Sequence, residues 1–136
     1  MSEAPRSDGL RAAALIAYGL FLLAPFNGAT AIAGVILVYL KRDEAHGTIW
    51  QSHFRNLTLV FWIGVVVAVL ALAAIAQIFG GVLFSMATTN GNPPPALVGA
   101  LFFLVPALFA AGTVFVVWYL YRTLRGLIRA IEGNAY

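Results

Sequence analysis

The chain contains no cysteine, which excludes disulfides, thiol chemistry and thiolate metal ligation. Charge is nearly as scarce. Charged residues make up 10% of the 136 positions, against roughly a quarter in soluble domains. The charge is also missing in blocks. Not one Asp, Glu, Lys, Arg or His occurs in the 66 residues between Arg55 and Arg122, nor in the 29 between Arg11 and Lys41. There is no basic tract, so the net charge of +3 does not suggest a nucleic-acid partner. What fills the space is oil: hydrophobic residues account for 62% of the chain. A charge at a bilayer centre costs roughly 2.5–3.5 kcal/mol, so charge-free runs of this length are what lipid demands. The expectation is an all-α integral membrane protein, a single helical transmembrane domain over 1–136.

Four apolar segments follow one another, at about 12–26, 29–40, 49–79 and 96–132. Residues 1–9, "MSEAPRSDG", read as a flexible polar tail. An uncleaved N-terminus is expected, because Glu3 and Asp8 cancel Arg6 and Arg11 and the apolar run resumes after Ala31. "PFNG" (Pro25–Gly28) breaks the first run, since proline cannot continue a helix and Asn-Gly favours a turn. The two runs it separates are short. Fifteen and twelve residues reach about 22 and 18 Å, against about 30 Å of hydrocarbon. They form either a short hairpin or one broken span.

The third segment holds a clean span, Leu57–Ala76, of about 30 Å, and is expected to weaken at Gln77 and Gly80-Gly81. An uncharged loop, "SMATTNGNPPP" (Ser85–Pro95), leads to the fourth segment, which Pro106 should kink. Small residues recur at four-residue spacing (Ala13/Ala17, Ala29/Ala33, Gly64/Ala68, Ala96/Ala100, Ala107/Ala111), the pattern that lets helix backbones approach in a bundle. With a hairpin followed by two full spans, all eight basic residues fall on one side and none on the other. A three-span arrangement would divide them six against two. The positive-inside rule therefore favours four hydrophobic helices with both termini cytoplasmic.

Nearly half of the ionisable residues gather in "YLKRDEAHGTIWQSHFRN" (Tyr39–Asn56). "DEAH" (Asp43–His46) matches a helicase box, but the chain has no phosphate-cradling G-x-x-x-x-G-K-[ST] loop to accompany it. Asp43, Glu44, His46 and His53 form no recognised metal-ligand set, and no nucleophile stands with an orienting base. No catalytic, cofactor or metal residue is assigned. A membrane-boundary loop explains the segment better. Thr48 and Gln51 form a T-x-x-Q capping box, so a helix should begin at Ile49. On a wheel, Trp50, Phe54, Leu57 and Phe61 fall within about 60°, which makes Trp50 an interfacial anchor and His53 an interfacial polar residue. "NLT" (Asn56–Thr58) is a glycosylation sequon only in form, because it lies at the mouth of a span on the cytoplasmic side.

The C-terminus is a second amphipathic device. Arg122, Arg125 and Arg129 share one arc of about 60°, with Leu120, Leu124, Leu127, Ile128 and Ile131 opposite. Gly133-Asn134 supplies a stop. The extension should lie along the membrane surface with its arginines toward lipid phosphates and solvent, either contacting anionic lipid at roughly 1 kcal/mol per basic residue or serving as a topology signal alone. Lys41, Arg42, Trp50, His53, Arg55, Arg122, Arg125 and Arg129 are accordingly the expected lipid or partner surface.

"YLKRDEAHGTIWQSHFRNLTLVFW" (Tyr39–Trp62) and "YLYRTLRGLIRAIEGNAY" (Tyr119–Tyr136) resemble a family of small bacterial inner-membrane proteins with no assigned activity. These in turn are similar to the Tic-type subunit of the chloroplast inner-envelope import translocon. The shared pattern is carried by Lys41, Arg42, Asp43, Glu44, His53, Arg122, Arg125, Glu132 and Gly133. The resemblance implies a bacterial inner-membrane location and a role in membrane-protein assembly or as a channel accessory. The expected function is therefore a non-catalytic accessory factor that binds membrane lipids or other membrane proteins. A small channel or transporter is the alternative. It would need a homo-oligomer, and its spans carry none of the ionisable residues that coupled transport uses.

Overall fold

A computed structural model describes residues 3–136, with side chains from Ser7 onward. The described chain forms four α-helices: α1 (Glu3–Leu23), α2 (Ala29–Lys41), α3 (Trp50–Thr88) and α4 (Pro95–Glu132). It divides into two compact units. One comprises the chain up to Ile63 together with Val116–Tyr136, and the other is Gly64–Phe115. Helices α3 and α4 contribute to both.

The count of four hydrophobic helices is not supported. Two helices, α3 and α4, are long and apolar enough to cross a membrane, while α2 is too short for that class. Helix α1 has the length, 21 residues, but its first half carries the charges of Asp8 and Arg11. The tail expected over residues 1–9 is instead helical from Glu3. Its first two positions lie outside the described residues. Proline in a first turn removes no intrahelical hydrogen bond, so Pro5 is no obstacle to that start.

In the first unit, α1 and α2 pack as a hairpin. The buried positions of α1 (Leu10, Ala13/Ala14, Ala17/Tyr18, Phe21) recur every three to four residues, a single stripe on one face. Gly34 of α2 lies under Phe21, so close that a Cβ there would come 2.8 Å from the ring. The turn between the helices is closed by Asn27, whose Oδ1 accepts from the Ala29 N–H at 3.2 Å and whose carbonyl accepts from Thr30 Oγ1 at 2.8 Å. Of the five small-residue pairs, only Ala13/Ala17 has both members buried.

Helix α3 starts at Trp50, one residue later than expected, and the capping box is not made. The Thr48 hydroxyl donates to the Ala45 carbonyl (2.7 Å), and Gln51 Oε1 reaches past Thr48 to the Gly47 N–H (3.2 Å). Nor does α3 weaken at Gly80-Gly81. Each glycine costs a helix only about 1 kcal/mol, too little to end one of 39 residues.

In the second unit, the connection shrinks to residues 89–94 and α4 begins on Pro95, a first-turn position where a missing N–H costs nothing. Helix α4 runs on through Pro106 as one element. Only 6% of the most apolar 18-residue window of α3 is buried, and none of that of α4. A core helix of a water-soluble protein would be mostly buried.

Candidate functional site

The chemistry concentrates in the first unit, where α1, α3, α4 and the C-terminal tail meet. The tail comes first. Helix α4 ends in a Schellman turn at Gly133, φ +73°. The Asn134 N–H bonds the Arg129 carbonyl at 2.9 Å and the Gly133 N–H bonds that of Ala130 at 3.3 Å. The helix stop expected at Gly133-Asn134 is therefore present, and it turns the chain back onto α3. There the Tyr136 N–H donates to Ser52 Oγ (2.9 Å), and Arg129 Nη1 holds the Ala135 carbonyl (3.0 Å). A side chain at a left-handed position costs roughly 1–2 kcal/mol. Gly133→Ala should thus lower stability by about that amount, read as a reduced midpoint of thermal unfolding in detergent. An unchanged midpoint would show that the turn does not hold the tail.

Beneath the tail runs a buried polar relay. Arg122 Nε donates to Asn56 Oδ1 at 2.7 Å and Asn56 Nδ2 to Tyr18 Oη at 3.3 Å. Tyr18 Oη meets His53 Nδ1 at 3.1 Å, and His53 Nε2 meets the Asn134 carbonyl at 2.8 Å. The ends dictate the direction. A guanidinium can only donate, so the Asn56 oxygen faces Arg122 and its nitrogen faces Tyr18. A backbone carbonyl can only accept, so His53 carries its proton on Nε2 and accepts from the Tyr18 hydroxyl on Nδ1. A neutral imidazole completes the chain with every bond satisfied. A second imidazole proton would leave the Tyr18 hydroxyl facing two donors.

The aromatic surroundings hold this geometry. His53 sits edge-on to Tyr18 (centroids 5.8 Å), tilted against Trp50 (5.5 Å) and edge-on to Tyr136 (6.3 Å). The Arg122 guanidinium lies 5.6 Å from the Trp118 ring centroid and 5.7 Å from that of Tyr136, within cation–π range of both.

The residues of the expected surface divide in this geometry. His53 is 0% and Trp50 5% exposed, and both form the enclosure of the relay. Arg122 is half-buried, with its Nε bonded to Asn56. Arg129 is half-buried on the tail carbonyl, while Arg125 is exposed and donates to Tyr121 Oη at 3.2 Å. Lys41 binds both oxygens of Glu44 at 2.8 and 3.0 Å. Arg42 and Arg55 are exposed. Among the described residues, Asp43, Glu44, His46 and His53 do not come together as a group that could hold a metal ion. His46 instead shares a 3.2 Å contact with Gln51.

The packing face of α4 is neither the arginine arc nor the leucine–isoleucine arc. Its buried residues are Tyr119, Thr123, Gly126 and Ala130, a small and polar stripe, whereas Leu124, Ile128 and Ile131 are exposed. Three contacts register α1 antiparallel to it. Arg11 donates to the Ile131 carbonyl at 2.9 Å, Tyr18 lies over Gly126, and Tyr119 donates to the Phe21 carbonyl at 2.7 Å. Small residues permit close backbone approach, and the bulky ones face outward.

No family model, no curated protein and no solved structure matches this chain. None of these comparisons links the chain to the translocon subunit. Sequence reasoning missed Tyr18, Asn56, Gly126, Asn134 and Tyr136. The available signal was a tyrosine inside an apolar run and an asparagine at the mouth of a span, each of which needs a partner in low dielectric.

Proposed function

We propose that this protein is a small, non-catalytic integral membrane protein, an accessory or assembly factor that binds lipids or other membrane proteins through its basic end. The observation that carries the reading is the almost complete exposure of the most apolar windows of α3 and α4. Water would not tolerate such surfaces; lipid requires them. The polar relay and the tail belong to the first unit, where the charges gather, which matches a membrane-boundary platform. The proposal includes a multi-pass location in the bacterial inner membrane with both termini cytoplasmic, supported by the one-sided placement of the basic residues. It also includes a re-entrant hairpin: α2 has 13 residues, about 20 Å of helix, and α1 registers alongside Tyr119–Ile131 of α4.

Reporter fusions test the topology. A fusion after Asn90 is expected to read outside, and fusions after Gly47 and Tyr136 inside. An inside signal at Asn90 overturns the arrangement. Crosslinking in intact cells tests the accessory role, with membrane proteins or lipids expected in the adducts. Solute flux in vesicles holding the protein alone would favour a channel instead.

A further inference from the structure

Two cavities share Gln51, Arg55 and Leu59 in their walls. One, of about 590 Å³, is also lined by Ser52, Asn56 and Arg122; the other, of about 430 Å³, by Arg42, His46 and Thr58. Arg55 and Arg122 thus line the first and Arg42 and Arg55 the second, and among the described residues no Asp or Glu side chain lines either cavity. A third cavity of similar size makes the contrast. Asp8 and Glu132 line it together with Arg11, so acidic side chains outnumber basic ones there. In the first two the basic side chains stand without an acidic one.

Arg122 is held ready for a ligand. Its guanidinium lies near the Trp118 and Tyr136 rings, and Nε is fixed on Asn56 at 2.7 Å. The relay therefore uses one edge of the fork and leaves the Nη pair for the cavity that Arg122 lines. A rigid planar fork suits a phosphate, which it can bind through two parallel hydrogen bonds. Below the cavities the wall turns apolar. Leu59 and Ile63, one turn apart on α3, are both exposed, so a ligand with a phosphate head and a hydrocarbon tail is matched at both ends.

We infer that the cavity between Arg55 and Arg122 binds the phosphate of an anionic phospholipid, with its acyl chains along Leu59 and Ile63. This rests on the membrane reading above and names the lipid class that the basic end selects.

The test is native mass spectrometry of the full chain in detergent, offered phosphatidylglycerol, phosphatidylcholine or inorganic phosphate. Wild type should retain phosphatidylglycerol in preference to phosphatidylcholine. Arg55→Gln should lower phosphatidylglycerol retention about fivefold and leave phosphatidylcholine unchanged. Arg122→Lys, which keeps the charge and loses the fork, should also weaken retention; because Arg55 is exposed and outside the relay, Arg55→Gln carries the test if the Arg122 variant misfolds. Equal retention of the two lipids by wild type, an unaffected Arg55→Gln, or displacement of phosphatidylglycerol by equimolar inorganic phosphate would overturn the inference. A protein that needs detergent yet shows no lipid preference defeats this site alone. One that stays monomeric in plain buffer defeats the membrane reading itself.

Discussion

Replacing Gly126 by alanine should unseat α1 from α4 and destabilise the protein by about 3 kcal/mol, the upper end of what overpacking a close contact costs. The added Cβ would lie 2.5 Å from Tyr18 Cε1 and Cζ and collide with its hydroxyl. Real Cβ atoms do not approach so closely. Relief would require Tyr18 to move, but its ring is fully buried and its oxygen is pinned between Asn56 and His53. The alternative is for α4 to back away, which would break the bonds of Tyr119 to the Phe21 carbonyl and of Arg11 to the Ile131 carbonyl. A control lies in the same helix. At Gly112 a Cβ would meet nothing within 4 Å, so Gly112→Ala should be neutral or stabilising by up to about 1 kcal/mol, from helix propensity alone. Thermal unfolding in detergent, followed by circular dichroism, should move in opposite directions or in one direction only for the two variants. Equal losses would mean that Gly126 has no special contact.

Tyr18→Phe should be about as damaging, and it isolates the relay because ring volume is unchanged. Deleting the hydroxyl removes two hydrogen bonds. At the average of about 0.6 kcal/mol for interhelical bonds in membranes, that is roughly 1 kcal/mol. It also leaves His53 Nδ1 and one Asn56 amide N–H without partners where both residues are buried. Unsatisfied buried groups add about 1 kcal/mol each at the low end, so a total of about 3 kcal/mol is expected. The cycle with Asn56→Leu provides the check. If the relay is one unit, the double variant should cost clearly less than the sum of the singles, because the second change removes a group already orphaned. Strict additivity would show that the two residues act independently.

Helix content, the turn at Pro25–Gly28 and the stop at Gly133 were legible because each depends on neighbours a few residues away. Proline lacks a donor, and the last turn of a helix needs a residue that tolerates positive φ. The length of α3 was underestimated because Gly80-Gly81 was given more breaking power than its cost allows. Trp50 and His53 were placed at an interface because a helical wheel shows which side is apolar, not which side is covered.

The amino-acid order by itself determined the helical class, the two long apolar helices and the absence of charge between Arg55 and Arg122, since each follows from local composition and the cost of charge in oil. Only the tertiary structure decided which faces pack. In lipid, a surface against hydrocarbon and a surface against another helix are both apolar, so hydrophobicity loses the contrast it has in water, and fit decides instead. The relay belongs to the same class of fact. Tyr18, His53, Asn56, Arg122 and Asn134 lie 35 to 81 residues from their partners, and nothing local to any of them specifies the others.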